Sequence, residues 1–203
     1  DELRRVNPFD WEREFAGVFS ASDLTGLKRP VRSDAGGFDA VIGNPPYIRI
    51  QTLQETGPEQ VAHLKTHYRA AGSGNYDIYV AFVEKGLSLL NERGRLGFIL
   101  PHKFFNAKYG EALRGLIAEG KHLAHVVHFG DQQVFDGATT YTALMFLDKA
   151  GNEQFEMVKV NDLAGWRESN RPLGSLRSTP KQSEGVETLR VLTAGTIPAA
   201  TAA

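Results

Sequence analysis

The chain has 203 residues, 41% of them hydrophobic, with 23 basic against 24 acidic side chains and no cysteine. That is enough apolar material for one core. It excludes disulfides and thiolate metal sites, and it gives no global attraction to nucleic acid, so any DNA contact needs a local basic face. No apolar run is long enough to span a membrane. The charged opening DELRRVNPFDWERE lacks the apolar stretch of a signal peptide, so a cytoplasmic protein is expected.

Residues 1–37 read as a lead-in: a charged start, an aromatic-rich patch (Phe9, Trp11, Phe15, Phe19) and a polar loop. The patch suits a short amphipathic helix or a strand ending equally well. Phe38 to Ile42 is a short apolar run bounded by glycines, the signature of a strand buried on both faces. Residues 48–75 are polar, and Gly57-Pro58 and Gly72-Ser73-Gly74-Asn75 predict a loop around a short helix near 58–68. From Tyr76 to Arg93 the apolar positions Ile78, Phe82, Val83, Leu87 and Leu90 form a helical stripe, closed by Gly94.

Leu96 to Leu100 predicts a second buried strand, stopped by Pro101, and residues 109–119 a helix ending at Gly120. HLAHVVHFG predicts a third strand. TTYTALMFLDK predicts a fourth, half of a hairpin returning beside the third, and QFEMVKV a fifth at 154–160. Beyond Lys159 the text turns polar, and the closing GTIPAATAA reads as a frayed or cut end. Strand alternating with helix makes a mostly parallel α/β sheet with helices packed on its faces, here with a late antiparallel hairpin.

The first strand runs straight into Asn44-Pro45-Pro46-Tyr47. Open parallel sheets bind ligands beyond the carboxyl ends of their strands. A residue before proline is held extended, and neither proline donates a backbone hydrogen bond. The result is a stiff ledge offering two acceptors, the Asn44 side-chain oxygen and the Pro45 carbonyl, with Tyr47 as a flat wall. Two convergent acceptors match a planar amino group with its two N–H donors, and a conjugated ring carrying that group stacks on an aromatic side chain. The ledge is shaped for an aminated heterocycle or an amide. The plainer reading is a rigid turn with a capping Asn, and the position directly after a buried strand weakens it.

FDAVIGNPPY resembles the catalytic motif of S-adenosylmethionine-dependent amino-group methyltransferases, above all adenine-specific DNA methyltransferases. NYDIYVAFVEKGLSLLNERGRLGFILPHKFF and HVVHFGDQQVFDGATTYTALMFL resemble the segments that follow this motif in TaqI-like methylases and type IIG restriction–modification enzymes, and NPFDWEREFAGVF is similar to the approach segment of the type IIG group. The similarity covers about residues 6–149. It implies the C-terminal part of a Rossmann-like methyltransferase sheet as the catalytic part at 38–149, followed at 150–203 by a linker or the start of a DNA target-recognition region. It further implies that Asn44 and Pro45 accept the hydrogen bonds of an adenine amino group flipped out of double-stranded DNA. Tyr47 and Phe135 would sandwich the base, Ile78 and Phe82 would line the cofactor's adenine pocket, and Asn44 and Pro46 would border the cofactor.

Several residues carry a plainer alternative. Phe135, Ile78 and Phe82 could be core residues, though Ile78 and Phe82 stand one helical turn apart and are expected to share a face. Asp39 caps the ledge or is simply solvated. Lys65, His67, Arg69, Lys103 and Lys108 fall on the ledge side of the sheet and either touch phosphates or form a scattered solvated surface. His122, His125 and His128 show no metal-ligand spacing, point to alternate faces or outward, and have no clustered carboxylate; no metal is expected. Gly72-Ser73-Gly74 follows no strand and is discounted as a cofactor loop.

The family's glycine-rich cofactor turn is found neither before Phe38 nor in 151–203. We therefore expect a fragment of a longer enzyme, or a chain whose partner supplies that loop, weakly active or inactive alone. Two other functions fit the ledge: a protein glutamine methyltransferase acting on a release factor, and a non-catalytic DNA-binding module.

Overall fold

The computed structural model describes residues 8–19, 36–137, 140–169 and the backbone of 186–191. Six strands form one sheet: β1 Phe38–Gly43, β2 Leu90–Pro101, β3 Leu123–His128, β4 Thr142–Asp148, β5 Phe155–Val160 and β6 Val186–Val191, in spatial order β1-β2-β4-β3-β5-β6. β1 and β2 are parallel, as are β3 and β5, while β4 runs against both β2 and β3, and β6 against β5. The α/β sheet expected from the sequence is present, and the expected antiparallel return of the fourth strand beside the third is there. Residues 150–203, expected to be a linker or a recognition region, contribute β5 and β6 to this same sheet.

The aromatic patch of the lead-in forms two short helices, α1 Trp11–Glu14 and α2 Ala16–Phe19. Asp10 starts the first by accepting the Arg13 amide at 3.0 Å. Their rings gather edge-on around Phe38 at the start of β1, with Phe15 at 5.2 Å, Phe19 at 5.4 Å and Trp11 at 6.0 Å. This geometry stabilises aromatic pairs beyond their area burial. The polar loop expected at 20–35 lies outside the described residues, as does GTIPAATAA.

Residues 48–75 are less loop-like than expected. They hold two helices, α3 Ile50–Thr56 and α4 Pro58–His67, with Pro58 at the first helical position. Helix α5 spans Tyr79–Ser88, so the expected helix to Arg93 ends five residues early. Leu90 pairs with Phe38 instead, and the Phe38 amide donates to the Leu89 carbonyl at 2.9 Å. A buried leucine satisfies either period, and pairing with β1 decided it. The β1–β2 register then jumps from Phe38↔Leu90 to Ala40↔Arg95. Gly94 sits in that irregularity rather than capping a helix, and a Cβ there would lie 2.5 Å from the Phe38 carbonyl oxygen.

The core fills the space between α5, helix α6 (Glu111–Glu119) and the sheet, with Tyr79, Leu96, Phe104, Leu113, Ile117, Met145 and Leu147 almost fully buried. Each such side chain contributes about 1.5–3 kcal/mol by leaving water. A second, smaller cluster joins Val127, Phe129 and Val160 to Trp166 of helix α7 (Leu163–Ser169). β1 departs from expectation. It is not buried on both faces, and Ile42 is 86% exposed. Among the described residues β1 has a strand partner on one edge only, so it is an edge strand of the sheet. Among the described residues no helix is long and apolar enough to cross a membrane.

Candidate functional site

The carboxyl ends of β1 and β2 point the same way, and the chain leaving each builds one rim of a cleft. After β1, Asn44 is exposed, Pro45 is buried, and Pro46 and Tyr47 are half-buried. The Tyr47 hydroxyl donates to the Ile99 carbonyl of β2 at 3.1 Å, and its ring meets Tyr79 edge-on at 6.3 Å. Burial pushes that phenol up to about 12, so it stays a protonated donor at neutral pH. Beyond the ledge, Ile50 donates to the Tyr76 carbonyl and Ile78 to the Ile48 carbonyl, both at 2.9 Å. These bonds zip residues 48–50 onto the segment before α5, and Arg49 is set opposite Asp77.

After β2, Pro101 ends the strand and two single turns follow, His102–Phe105 and Lys108–Gly110. Phe104 and Phe105 are buried and anchor this rim from below. Arg114 of α6 donates to the Phe104 carbonyl at 2.5 Å and to the Ala107 carbonyl at 2.8 Å, the latter also accepting the Gly110 amide at 3.1 Å, so one side chain ties the two turns together. Gly110 is required here because a Cβ would lie 2.1 Å from the Phe104 carbonyl oxygen.

Between the rims lies a cleft of about 830 Å³, whose walls include Tyr47, Arg49, Asp77, His102, Lys103, Tyr109 and Tyr141. Asp77 titrates above the ordinary carboxylate range because burial outweighs the nearby Arg49 and Lys103 charges. The Tyr109 and Tyr79 hydroxyls are 2.9 Å apart, and burial raises both phenols. His102 is shifted down by burial. His128 of β3 is pushed down to about 4, by burial first and then by His102 and Lys159. At neutral pH the cleft therefore presents fixed neutral donors beside two cations and one carboxylate, a setting that suits a polar planar ligand with an apolar face.

Of the residues singled out in the sequence, Tyr47 and Lys103 line this cleft, whereas Asn44 and Phe135 do not. Asn44 stands exposed three residues from Tyr47. Phe135 is 38% exposed in the connection between β3 and β4, whose base is held by Gln132: its side chain donates to the Val160 carbonyl at 2.5 Å and accepts the Leu163 amide at 2.8 Å. Ile78 and Phe82 do not share an environment: Ile78, just before α5, is buried in the core at 7% exposure, while Phe82 is 44% exposed. Lys65 and Lys108 are exposed. Arg69 is engaged by Glu119 through two contacts of 2.5 Å, so it braces α6 rather than standing ready for a phosphate.

The histidines also differ from expectation. His128 is buried, not outward. His125 does meet a carboxylate, Glu156, at 3.1 Å. The His67 ring stacks on His63 at 4.1 Å. Asp39 is neither a ledge cap nor simply solvated, since it accepts the Asn91 amide at 2.8 Å across the β1–β2 irregularity. Sequence reading missed Arg49, Asp77, His102, Tyr109 and Tyr141 as cleft residues. His102 carried a usable signal, because it follows the proline that stops β2 at the binding end of the sheet. Tyr141 carried none: it enters the cleft only because β4 slots between β2 and β3.

Known proteins agree with this architecture. The type II restriction enzyme and methyltransferase RM.Eco57I of Escherichia coli is 36% identical over 144 residues, which is 70% of this chain and 14% of that protein. The type II methyltransferase M.XhoI of Xanthomonas vasicola is 39% identical over 116 residues, 55% of this chain and 20% of that one. The chain thus spans a fifth or less of the length of these relatives. Among solved structures, the type IIG restriction endonuclease BpuSI superposes with a TM-score of 0.52 at 16% identity, over 76% of this chain and 19% of its own. The family model for Eco57I restriction-modification methylases matches residues 1–135. The chain belongs to the Eco57I restriction-modification methylase family.

Proposed function

We propose that this chain carries the target-base half of an adenine-specific DNA methyltransferase, which moves a methyl group from S-adenosylmethionine to the exocyclic amino group of a flipped adenine. One observation carries the reading: a donor-poor Asn-Pro-Pro-Tyr ledge stands at the carboxyl end of β1, with Asn44 exposed and Tyr47 fixed as a wall of the cleft. Family membership supports it.

In this reading Asn44 and the Pro45 carbonyl accept the two amino protons. They turn the nitrogen lone pair out of conjugation so that it can form a bond to carbon while the carbon–sulfur bond breaks in line. A proton then leaves the methylated nitrogen. The rate comes from positioning and from polar groups already aimed at the reacting atom. Stacking on Tyr47 offsets part of the few kcal/mol of unstacking; Phe135, which stands outside the cleft here, would have to move to cover the other face. The cofactor supplies an electrophilic methyl when bound. Phe82 fits one wall of its adenine pocket, because it keeps an exposed ring on a helix whose other apolar residues are buried. Asn44 and Pro46 border the same side. The remaining cofactor contacts, including a glycine-rich loop, would come from polypeptide beside the open edge of β1, whether in the same protein or in a partner. Lys103 and Arg49, together with the exposed Lys65 and Lys108, are the candidate phosphate contacts; Arg69 is withdrawn from that set.

The test is transfer of labelled methyl by the intact protein to unmethylated plasmid DNA and, in parallel, to a release factor. 6-Methyladenine in the digested DNA supports the proposal. Label in protein alone, or on cytosine, rejects it.

A further inference from the structure

His102 and His128 are in ring contact across the end of the sheet, with centroids 4.4 Å apart, and Nδ1 of His102 meets Nε2 of His128. A pair of imidazoles normally leaves open which nitrogens carry protons. Here a third contact decides. The backbone amide of Gly130 donates to His128 Nδ1 at 3.0 Å. An amide nitrogen can only donate, so His128 Nδ1 carries no proton, and the ring is neutral with its single proton on Nε2. That proton has one use in the pair, donation to His102 Nδ1. His102 Nδ1 is then an acceptor as well, and the proton of its neutral ring sits on Nε2. Gly130 makes this lock through a left-handed backbone, φ 60°, which glycine adopts at little cost.

We propose that the Gly130–His128–His102 relay presents His102 Nε2–H as a neutral, direction-fixed donor that selects a ring nitrogen of the purine held in the cleft. His102 lines the cleft, its backbone amide donates to the Tyr141 carbonyl at 3.2 Å, and its ring meets Tyr141 edge-on at 6.2 Å. A neutral donor in a cleft that Tyr47 and Tyr141 also line matches a flat heterocycle better than a phosphate, for which the cleft already has Arg49 and Lys103. His102 is the binding group, and His128 is a positioning residue that acts through it. The identity of the acceptor rests on the function proposed above. The tautomer does not.

Two measurements on the intact protein separate these. Nitrogen-15 spectra of the histidine rings near neutral pH are expected to show His102 as a single Nε2–H tautomer, and to lose that preference in His128→Phe, which keeps the ring volume. Protonated Nδ1 on His102, or two exchanging tautomers in the unmodified protein, overturns the relay. Titration with deoxyadenosine monophosphate is expected to shift His102 Nε2, and one of the 1-, 3- and 7-deaza analogues to abolish the shift. An equal shift with deoxyribose 5-phosphate overturns the purine assignment.

In methylation of unmodified plasmid DNA, His102→Phe should raise KM about tenfold with kcat little changed, the loss of one hydrogen bond. His102→Gln, which retains an N–H, should recover most of it. Adding His128→Phe to His102→Phe should cost nothing more, because a relay has only one outlet. Additive losses, or no rescue by glutamine, reject the proposal. If the unmodified protein methylates no DNA, the function proposed above fails, and the spectra still decide the relay.

Discussion

The two rims of the cleft are built in opposite ways. The ledge after β1 is four consecutive residues, stiff because of what prolines do to their own backbone and their neighbour's, and Tyr47 needs one long-range hydrogen bond to be fixed. The rim after β2 draws on His102, on His128 from a strand two places along the sheet, on Tyr141 just ahead of the strand between them, and on Arg114 from a helix. The first rim survives any fold that places it at a strand end. The second exists only when β2, β4 and β3 are all in register. On the proposed reading the methyl-transfer chemistry rests on the local rim and recognition of the purine on the assembled one.

The sharpest way to break this comparison is at the ledge. Asn44→Ala should lower methyl transfer by about 10²–10³-fold, the scale for removing one preorganised polar group at a reacting atom. Thermal stability should hardly change, since Asn44 is exposed. Single-turnover transfer beside a melting curve checks it, and an equal loss in both would mean that the ledge is structural.

The assembled rim should respond the other way round. Gly110→Ala should destabilise the fold by about 3 kcal/mol, because the new methyl meets a backbone carbonyl that cannot move without releasing Arg114. Urea denaturation reads this directly. A stability loss of under about 0.5 kcal/mol, the range of ordinary surface changes, would show that the turn is soft.

The smallest expected effect is on pH. His128 titrates at about 4 in the folded protein and near 6.5 when unfolded. Between those values the unfolded chain binds more protons, so stability falls as pH drops through this window and is fully present above it. The loss should reach roughly 2–3 kcal/mol by pH 4. His128→Phe should flatten that slope. An unchanged slope would place the acid sensitivity elsewhere.

Much of this molecule was legible in its residues, and the failures have physical causes. β3, β4, β5 and α6 were read within three residues because their apolar patterns have one period and clear stops, such as Gly120 after α6. The end of α5 was misread because Leu90 fits helix and strand alike. β1 reads as buried on both faces because an apolar run states what a strand prefers, not what packs over it. Arg69 looked like a free cation until Glu119, fifty residues away, was seen beside it.

By itself the sequence determined the α/β alternation and the ledge, since turn stiffness, donor count and hydrophobic period are properties of neighbouring residues. Only the tertiary structure decided that β4 enters between β2 and β3, that His128 lies under His102, and that Tyr141 joins the cleft. Strand order is set by packing energies summed over the whole sheet, and no local stretch of chain carries that sum.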